Sequence, residues 1–195
     1  MIRLLDLFFS VLGLIIISPF FLLTAVLIKF TSTGPIFFKQ IRVGENGRHF
    51  SLYKFRTMYT GSEKKGFLTV GNHDKRITSI GKFLRKFKLD ELPQLLNVVI
   101  GNMSLVGPRP EVPFYVDRFS NSQRKILAVK PGITDWASIE FSNENDLLSL
   151  ASDPEDFYLN EILPQKIALN MRYINNQSLR HYFEIILQTF KKIFN

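Results

Sequence analysis

The sequence predicts an α+β fold that is mostly helical and that begins with an apolar segment. Three observations predict it. Residues 4–28 are almost continuously apolar. The pair Asn46-Gly47 separates two strand-like runs, which is a strong signal for a β-hairpin. Later segments repeat apolar residues at helical spacing, with basic residues on their other faces. We therefore expect amphipathic helices and a hairpin in one compact domain.

The length and composition limit the domain count and the chemistry. With 195 residues, the chain accommodates one domain and an anchor, which we place at 31–195 and 1–30. The sequence contains no cysteine, which excludes disulfides, thiolate metal sites and cysteine nucleophiles. We find no internal repeat and no low-complexity tract.

The formal net charge of +8 is unevenly distributed along the chain. Residues 29–88 contain fourteen Lys or Arg against three acidic residues, whereas residues 89–170 contain twelve acidic residues against six basic ones. A basic segment directly after an apolar one favours the cytoplasmic membrane face and its anionic lipids. Nucleic acid attracts the same charge but needs no anchor. We expect membrane lipid, and no nucleic acid, as a partner.

Ser18-Pro19 interrupts the apolar segment near its middle. Proline removes one helical hydrogen bond, and the serine hydroxyl can bond the carbonyl that is set free. Two half-helices of roughly fourteen and ten residues would then enter and leave the membrane by the same face. Arg3 before the segment and Lys29 after it favour this re-entrant course, with both termini cytoplasmic. A kinked spanning helix is the alternative, and the absence of an A-x-A-like site argues against a signal peptide.

The predicted hairpin consists of strands at about 36–43 and 50–56. Alternation along the second strand places Lys54 and Arg56 on the same face, where they could clamp a phosphate. A solvated strand edge is the alternative. The polar residues 59–76, with three glycines, are typical of a mobile loop.

Three further helices are indicated by their apolar spacing. The first begins near Ser79 and is basic and amphipathic, as in helices that lie at a membrane surface, and it includes Arg85. The second ends near Gly101. The last one carries an apolar stripe that starts at Leu179 and could contact either the core or the membrane. Between them, residues 142–156 are acidic and polar and suggest a surface loop with a short helix.

Asp90 and Glu91 are adjacent carboxylates in the most basic part of the chain. Pro93 suits the first turn of the second helix, so that Asp90 is a natural N-cap. Capping alone would explain a lone aspartate. The neighbouring Glu91 and the surrounding bases favour chemistry on a phosphate ester. An aspartate can attack phosphorus and divide one displacement into two, and Glu91 could hold Mg²⁺.

Gly107-Pro108-Arg109-Pro110 predicts a stiff, extended turn, because each proline restrains itself and the residue before it. Arg109, held between two prolines, would lose little entropy on binding an anion. A salt bridge is its alternative role. Alternatively, Arg109 could neutralise charge on phosphoryl groups together with Lys54, Arg56 and Arg85.

Other chemistries fit the sequence less well. It contains no Gly-rich phosphate loop, no metal-ligand spacing among its histidines and no Asp-x-Asp pair.

Several motifs in this order resemble the bacterial sugar transferases, also called monotopic phosphoglycosyl transferases. The resemblance covers nearly the whole chain and includes the following: Ser18-Pro19, Tyr53-Lys54-Phe55-Arg56-Thr57-Met58, Leu89-Asp90-Glu91-Leu92-Pro93-Gln94-Leu95, Asn97, Gly101, Met103-Ser104-Leu105-Val106-Gly107-Pro108-Arg109-Pro110 and Pro131-Gly132-Ile133-Thr134.

The resemblance implies a re-entrant helix broken at Ser18-Pro19 on the bacterial inner membrane, with the domain at its cytoplasmic face. It implies that Asp90 is the nucleophile, that Glu91 binds Mg²⁺, and that Arg85, Pro108 and Arg109 contact substrate. In such enzymes a UDP-sugar loses UMP, and the sugar phosphate passes to undecaprenyl phosphate as the first membrane step of glycan assembly. The chain looks like the minimal catalytic form. A homodimer is left open.

One segment departs from the family pattern. Many members continue after Pro-Gly-Ile-Thr with Gly-Trp-Ala-Gln-Val-Asn-Gly-Arg, whereas this chain has Asp135-Trp136-Ala137-Ser138-Ile139-Glu140-Phe141-Ser142. An arginine contact from that motif is therefore unsupported, and the sugar stays undetermined. Two alternatives to the phosphoglycosyl transferase remain: a non-catalytic scaffold at the membrane surface, and a one-step glycosyltransferase that releases UDP.

Overall fold

A computed structural model describes residues 1–62, 68 and 74–194 of the chain. Most of the predicted 59–76 loop lies outside the described residues. The predicted α+β, mostly helical fold class is confirmed. The helices are α1 Ile2–Thr31, α2 Ser79–Lys86, α3 Gln94–Ile100, α4 Pro113–Val116, α5 Trp136–Glu140, α6 Glu144–Leu150, α7 Pro154–Phe157, α8 Leu163–Asn175 and α9 Leu179–Phe194, and the strands are β1 Phe37–Val43, β2 His49–Phe55, β3 Ser104–Val106 and β4 Gly132–Thr134.

The apolar segment forms one uninterrupted helix, α1, with Pro19 inside it. The predicted pair of separate half-helices is therefore wrong in its boundaries. The reason is local: the proline leaves the carbonyl of Ile15 without its helical donor, and the Ser18 hydroxyl donates to that oxygen at 2.8 Å. The predicted role of the serine is confirmed. Among the described residues, α1 is the helix that is long and apolar enough to cross a membrane.

One face of α1 contacts the domain along much of its length. Its buried residues are mostly polar (Asp6, Ser10, Thr24 and Ile28), and Phe9 packs edge-on against Phe183 of α9. The exposed face is apolar and consists of Leu4, Phe8, Val11, Leu12, Ile15, Ile16, Leu22, Leu23, Val26, Leu27 and Phe30. This reverses the pattern of a water-soluble helix and indicates an apolar surrounding.

The predicted hairpin is confirmed. β1 and β2 pair antiparallel, with Val43 opposite His49 and Phe37 opposite Phe55. Asn46 and Gly47 adopt positive φ values of 56° and 74°, as the connection requires. Phe55 packs with Ile28 of α1 and Leu84 of α2, so the second strand joins the membrane segment to the basic helix.

α2 and α3 lie close to their predicted positions. The Thr78 hydroxyl caps α2 by accepting the Gly81 N–H at 3.0 Å, and Gly101 ends α3 with φ 103°. Lys88 adopts a left-handed conformation that reverses the chain between the two helices. Leu84 of α2 is buried, whereas Phe83 is half exposed.

A parallel pair of short strands, β3 and β4, was not predicted. Gly107 follows β3 and lies against Gly132 at the start of β4, where a Cβ added to Gly132 would come within 2.1 Å of the Gly107 nitrogen. Glycine is therefore required for the two backbones to approach. The contact fixes the Gly107–Pro110 turn beside β4.

The largest core cluster lies under α4, α6 and α8 and includes Val112, Tyr115, Leu148, Ile162 and Ile167. The predicted loop and short helix of residues 142–156 are two short helices, α6 and α7. α9 buries Tyr182 and Ile185 while Phe183 and Phe190 stay about half exposed, so this helix contacts the core and also presents an apolar surface.

Candidate functional site

A cavity of about 1850 Å³ contains most of the predicted site residues. Its wall includes Lys54, Arg85, Asp90, Glu91 and Arg109, which β2, α2, the turn before α3 and the Gly107–Pro110 turn supply. Toward α1 and α9 the lining becomes apolar, with Gly13, Ile17, Leu95, Ile186 and Phe190. The cavity therefore combines a charged region and an apolar region.

Asp90 lies in the helical turn Leu89–Glu91 that precedes α3. α3 begins at Gln94 and has Pro93 in the cap position, so the predicted N-cap role of Asp90 is wrong. The extra turn 89–91 is the physical reason, because it moves Asp90 away from the first free N–H groups of α3. Within the part of the chain that the structure describes, the Asp90 carboxylate accepts no hydrogen bond, although it is only 7% exposed. Both of its oxygens are therefore without a hydrogen-bond donor in this part of the chain.

Glu91, in contrast, binds two cations. The guanidinium of Arg109 binds both of its oxygens, with Nη1 2.9 Å from Oε2, and Lys54 Nζ lies 2.9 Å from Oε1. All three side chains are largely buried. This is a charge-assisted, two-pronged pair reinforced by a second cation.

The two adjacent carboxyls experience opposite electrostatic effects. Burial, and then the negative charge of Glu91, raises the pKa of Asp90 above its ordinary value, while Lys54 and Arg85 act in the other direction. Burial alone would also raise the pKa of Glu91, but Arg109 and Lys54 hold it well below its usual range. Glu91 therefore stays ionised, and Asp90 carries a costly charge.

Arg56 lines the same cavity as Lys54 and also contacts the end of α1. Its guanidinium donates to the carbonyl and the hydroxyl of Ser32, at 2.7 and 2.9 Å, where α1 ends. Free carbonyls at a helix C-terminus attract such a cation. Arg56, which follows β2, thus links this strand to the end of α1, and its part in a phosphate clamp stays a prediction.

The other two predicted residues differ in their surroundings. Arg85 lines the cavity, half buried, and its charge acts on Asp90. Pro108 is buried, and its carbonyl accepts the Gly132 N–H at 3.0 Å. It holds the turn that carries Arg109, and the structure places it outside the lining of this cavity.

A second ionic cluster, missed in the sequence, adjoins the first. Lys166 of α8 lies 2.9 Å from Glu144 and 3.8 Å from Glu111, and the Tyr158 hydroxyl donates to Glu111 at 2.6 Å. Arg42 of β1 donates to the Pro110 carbonyl at 2.8 Å. No local pattern marks these residues, since they come from five separate segments.

The donor atoms at the site suit a magnesium ion. Mg²⁺ binds through one or two carboxylates, with substrate phosphates and water completing its shell. Glu91 uses three of its roughly four acceptor positions on Arg109 and Lys54. One position at Oε2 and the whole Asp90 carboxylate remain, so these residues fit the group.

The comparison that decides the family covers the full sequence. The family model described as bacterial sugar transferase matches residues 1–195. The chain belongs to this family. The match confirms the resemblance that the motifs indicated, and it identifies the chain as a bacterial sugar transferase.

Three relatives give the scale of similarity. A UDP-N-acetylgalactosamine-undecaprenyl-phosphate N-acetylgalactosaminephosphotransferase of Aeromonas hydrophila is 39% identical, over 96% of this chain and 42% of that protein. A UDP-glucose:undecaprenyl-phosphate glucose-1-phosphate transferase of Klebsiella pneumoniae is 36% identical, over 98% of this chain and 40% of its own length. The uncharacterized sugar transferase EpsL of Bacillus subtilis is 37% identical, over 98% of this chain and 86% of that protein. This sugar transferase chain thus spans less than half the length of the first two relatives.

Proposed function

We propose that this chain transfers a sugar 1-phosphate from a UDP-sugar to undecaprenyl phosphate and releases UMP. The observation that carries the proposal is the buried Asp90 carboxylate, which accepts no hydrogen bond within the described residues and lies next to the Glu91, Arg109 and Lys54 cluster. Relatives named for undecaprenyl-phosphate transfer support the acceptor. Their names differ in the sugar, so we leave the sugar of this chain open.

In the first half-reaction, an oxygen of Asp90 attacks the phosphorus that bears the sugar. The bond from this phosphorus to the bridging oxygen breaks, and UMP leaves with that oxygen. An aspartyl phosphosugar remains on the chain. In the second half-reaction, a phosphate oxygen of the acceptor attacks the same phosphorus, the bond to Asp90 breaks, and the free carboxylate returns.

The cationic side chains of the cavity stabilise the charge that develops on the phosphoryl oxygens. Arg85 and Lys54 act on Asp90 and would face the donor diphosphate. Arg109 holds Glu91 in place. We propose that Glu91 and the donor phosphates hold Mg²⁺, which would neutralise negative charge on the diphosphate and on the leaving UMP.

We further propose that the chain works at the cytoplasmic face of the inner membrane, with α1 following a re-entrant course. The exposed apolar face of α1 supports contact with lipid, as do Phe83 of α2 and Phe190 of α9. The apolar region of the cavity, between α1 and α9, would take the isoprenoid chain of the acceptor and bring its phosphate to Asp90.

The test separates the two half-reactions in the purified full-length chain. A panel of UDP-sugars is supplied with undecaprenyl phosphate, and the released nucleotide is identified. We expect UMP, and an intact-mass adduct of one phosphosugar when the acceptor is omitted. Asp90→Asn should abolish both, and chelation of Mg²⁺ by EDTA should stop UMP release.

Asp117→Asn is the matched control, because Asp117 is exposed and makes no side-chain contact in the described residues. It should behave like the wild type. Release of UDP would favour the one-step glycosyltransferase. An Asp90→Asn chain that still supports glycan assembly, while neutral substitutions at Lys82, Lys86 and Lys88 do not, would favour the non-catalytic scaffold.

A further inference from the structure

Asp135 stands where the chain departs from its family pattern, and its carboxylate is almost completely buried, with 1% exposure. Oδ2 accepts the main-chain N–H of Arg109 at 2.8 Å and the amide of Asn170 at 2.7 Å. Oδ1 accepts the N–H of Ser138 at 2.5 Å and so caps α5. One carboxylate therefore joins the Gly107–Pro110 turn, α5 and α8.

The turn that carries Arg109 has few other attachments at this point. Pro108 and Pro110 have no N–H, so the N–H of Arg109 is the one main-chain hydrogen-bond donor of these three residues. Neighbouring bonds from Gly107 to Thr134 and from Gly132 to Pro108 fix the turn on β4, but neither involves Arg109 itself. Arg42 holds the Pro110 carbonyl on the other side, and Asp135 bonds the backbone of Arg109 directly.

The position of this backbone determines where the guanidinium lies. Arg109 reaches Glu91 with both terminal nitrogens, a geometry that tolerates little displacement because two hydrogen bonds must be made at once. Glu91 is covalently adjacent to Asp90. A shift of the Arg109 backbone would therefore be passed to the reacting carboxylate through one ion pair and one peptide bond.

Resting on the proposed function, we infer that Asp135 is a positioning residue for phosphosugar transfer: it orients Arg109, and through Arg109 the Glu91–Asp90 pair. It does not touch the substrate itself. Its carboxylate makes no ion pair among the described residues, although its negative charge acts on the nearby guanidinium of Arg109. Both its hydrogen bond and its charge are thus directed at Arg109 and not at the donor.

The experiment measures the rate of adduct formation in a single turnover, with a UDP-sugar that the wild type accepts. Asp135→Ala should slow this step by about 10²-fold, the cost of a misplacement near 1 Å. The binding of the UDP-sugar should change far less, because Lys54 and Arg85 are untouched. In an Arg109→Lys background, which lacks the two-pronged pair, Asp135→Ala should add less than about 3-fold.

Two control variants separate positioning from stability. Asp153→Ala removes another aspartate that caps a short helix, α7, but lies on the surface. Asn170→Ala removes one partner of Asp135 and leaves the bond to Arg109 in place. Both should keep the wild-type rate, even where their unfolding midpoints fall. If Asp135→Ala does not fold, Asp135→Ser replaces it in the cycle, because a serine hydroxyl can still cap α5 but offers no second oxygen to the N–H of Arg109.

Three results would overturn the inference. The first is an Asp135 variant that forms the adduct at the rate of the Asp153 control. The second is an equal loss in the Arg109→Lys background, which would show that Asp135 acts independently of Arg109. The third is a wild-type chain that forms no adduct with any UDP-sugar, and this result alone would also remove the proposed function.

Discussion

At the scale of single residues, the two adjacent carboxylates differ in what surrounds them and not in their chemistry. Glu91 accepts hydrogen bonds from Arg109 and Lys54, while the buried Asp90 carboxylate accepts none from any residue that the structure describes. Environments that separate the pKa values of neighbouring acids commonly assign them different roles. Here the paired Glu91 is the fixed charge, and Asp90 is the one available to form a bond.

This difference predicts the pH dependence of adduct formation. In the proposed reaction the nucleophile is the ionised form of Asp90, and burial together with Glu91 raises the pKa of Asp90 above the ordinary value of 3.8. As the pH falls, Asp90 is therefore protonated earlier than a solvated aspartate would be. The rate should decline at a pH above 3.8, while Glu91, whose pKa is lowered, stays ionised. Single-turnover rates across a pH series measure the decline.

Glu91→Gln provides the control for that assignment. It removes a negative charge next to Asp90, so the pKa of Asp90 should fall and the acid limb of the residual rate should move to lower pH. A limb that stays in place would mean that another group controls the reaction.

At the scale of elements, a buried carboxylate links the first turns of α1 to the domain. Asp6, 2% exposed, accepts hydrogen bonds from the Ser104 hydroxyl at 2.8 Å, the Leu105 N–H at 3.0 Å and the Tyr182 hydroxyl at 2.8 Å. These donors belong to β3 and α9. The contact therefore fixes the start of the membrane segment relative to both elements that flank the apolar part of the cavity.

Removing this contact should loosen α1. Asp6→Ala leaves three buried donors without an acceptor and should lower the free energy of unfolding by about 3 kcal/mol, whereas Ser104→Ala, which removes one donor, should cost about 1 kcal/mol. Thermal unfolding in one fixed detergent compares the two. Equal losses would mean that the carboxylate is not the anchor.

The elements also show which parts of the fold a sequence can predict. The hairpin, the start of α2 and the end of α3 follow from local signals: Asn46-Gly47, Thr78-Ser79 and Gly101. The pairing of β3 with β4 joins segments almost thirty residues apart, and no local pattern encodes it.

The residues of the candidate site also differ in whether a local sequence pattern predicts them. Asp90, Glu91 and Arg109 could be predicted because they belong to short motifs. The contact between Arg56 and Ser32 could not be predicted, because Ser32 lies at the end of a distant helix. Asp135 was missed as a site residue because its role depends on a contact with Arg109 across twenty-six positions.

At the scale of the whole molecule, the membrane segment and the site share one cavity. α1 contributes Phe9, Gly13 and Ile17 to its wall, and α9 contributes Phe183 and Phe190 on the other side. Outward, the exposed face of α1 is apolar over nearly its whole length. A lipid acceptor could therefore reach Asp90 along α1 without leaving an apolar surrounding, which links the position of the helix to the reaction.

The course of α1 through the membrane decides whether both of its ends lie on the side of the membrane that carries the site. A re-entrant helix returns both ends to the cytoplasm, whereas a spanning helix leaves residue 2 outside. Because the sequence contains no cysteine, Ile2→Cys and Thr33→Cys each supply one unique thiol. A thiol reagent that cannot cross the membrane is applied to intact bacterial spheroplasts expressing either variant, and again after permeabilisation. For the re-entrant course, both thiols should react only after permeabilisation. Labelling of residue 2, but not of residue 33, in intact spheroplasts would instead show that Pro19 bends a helix that crosses the bilayer.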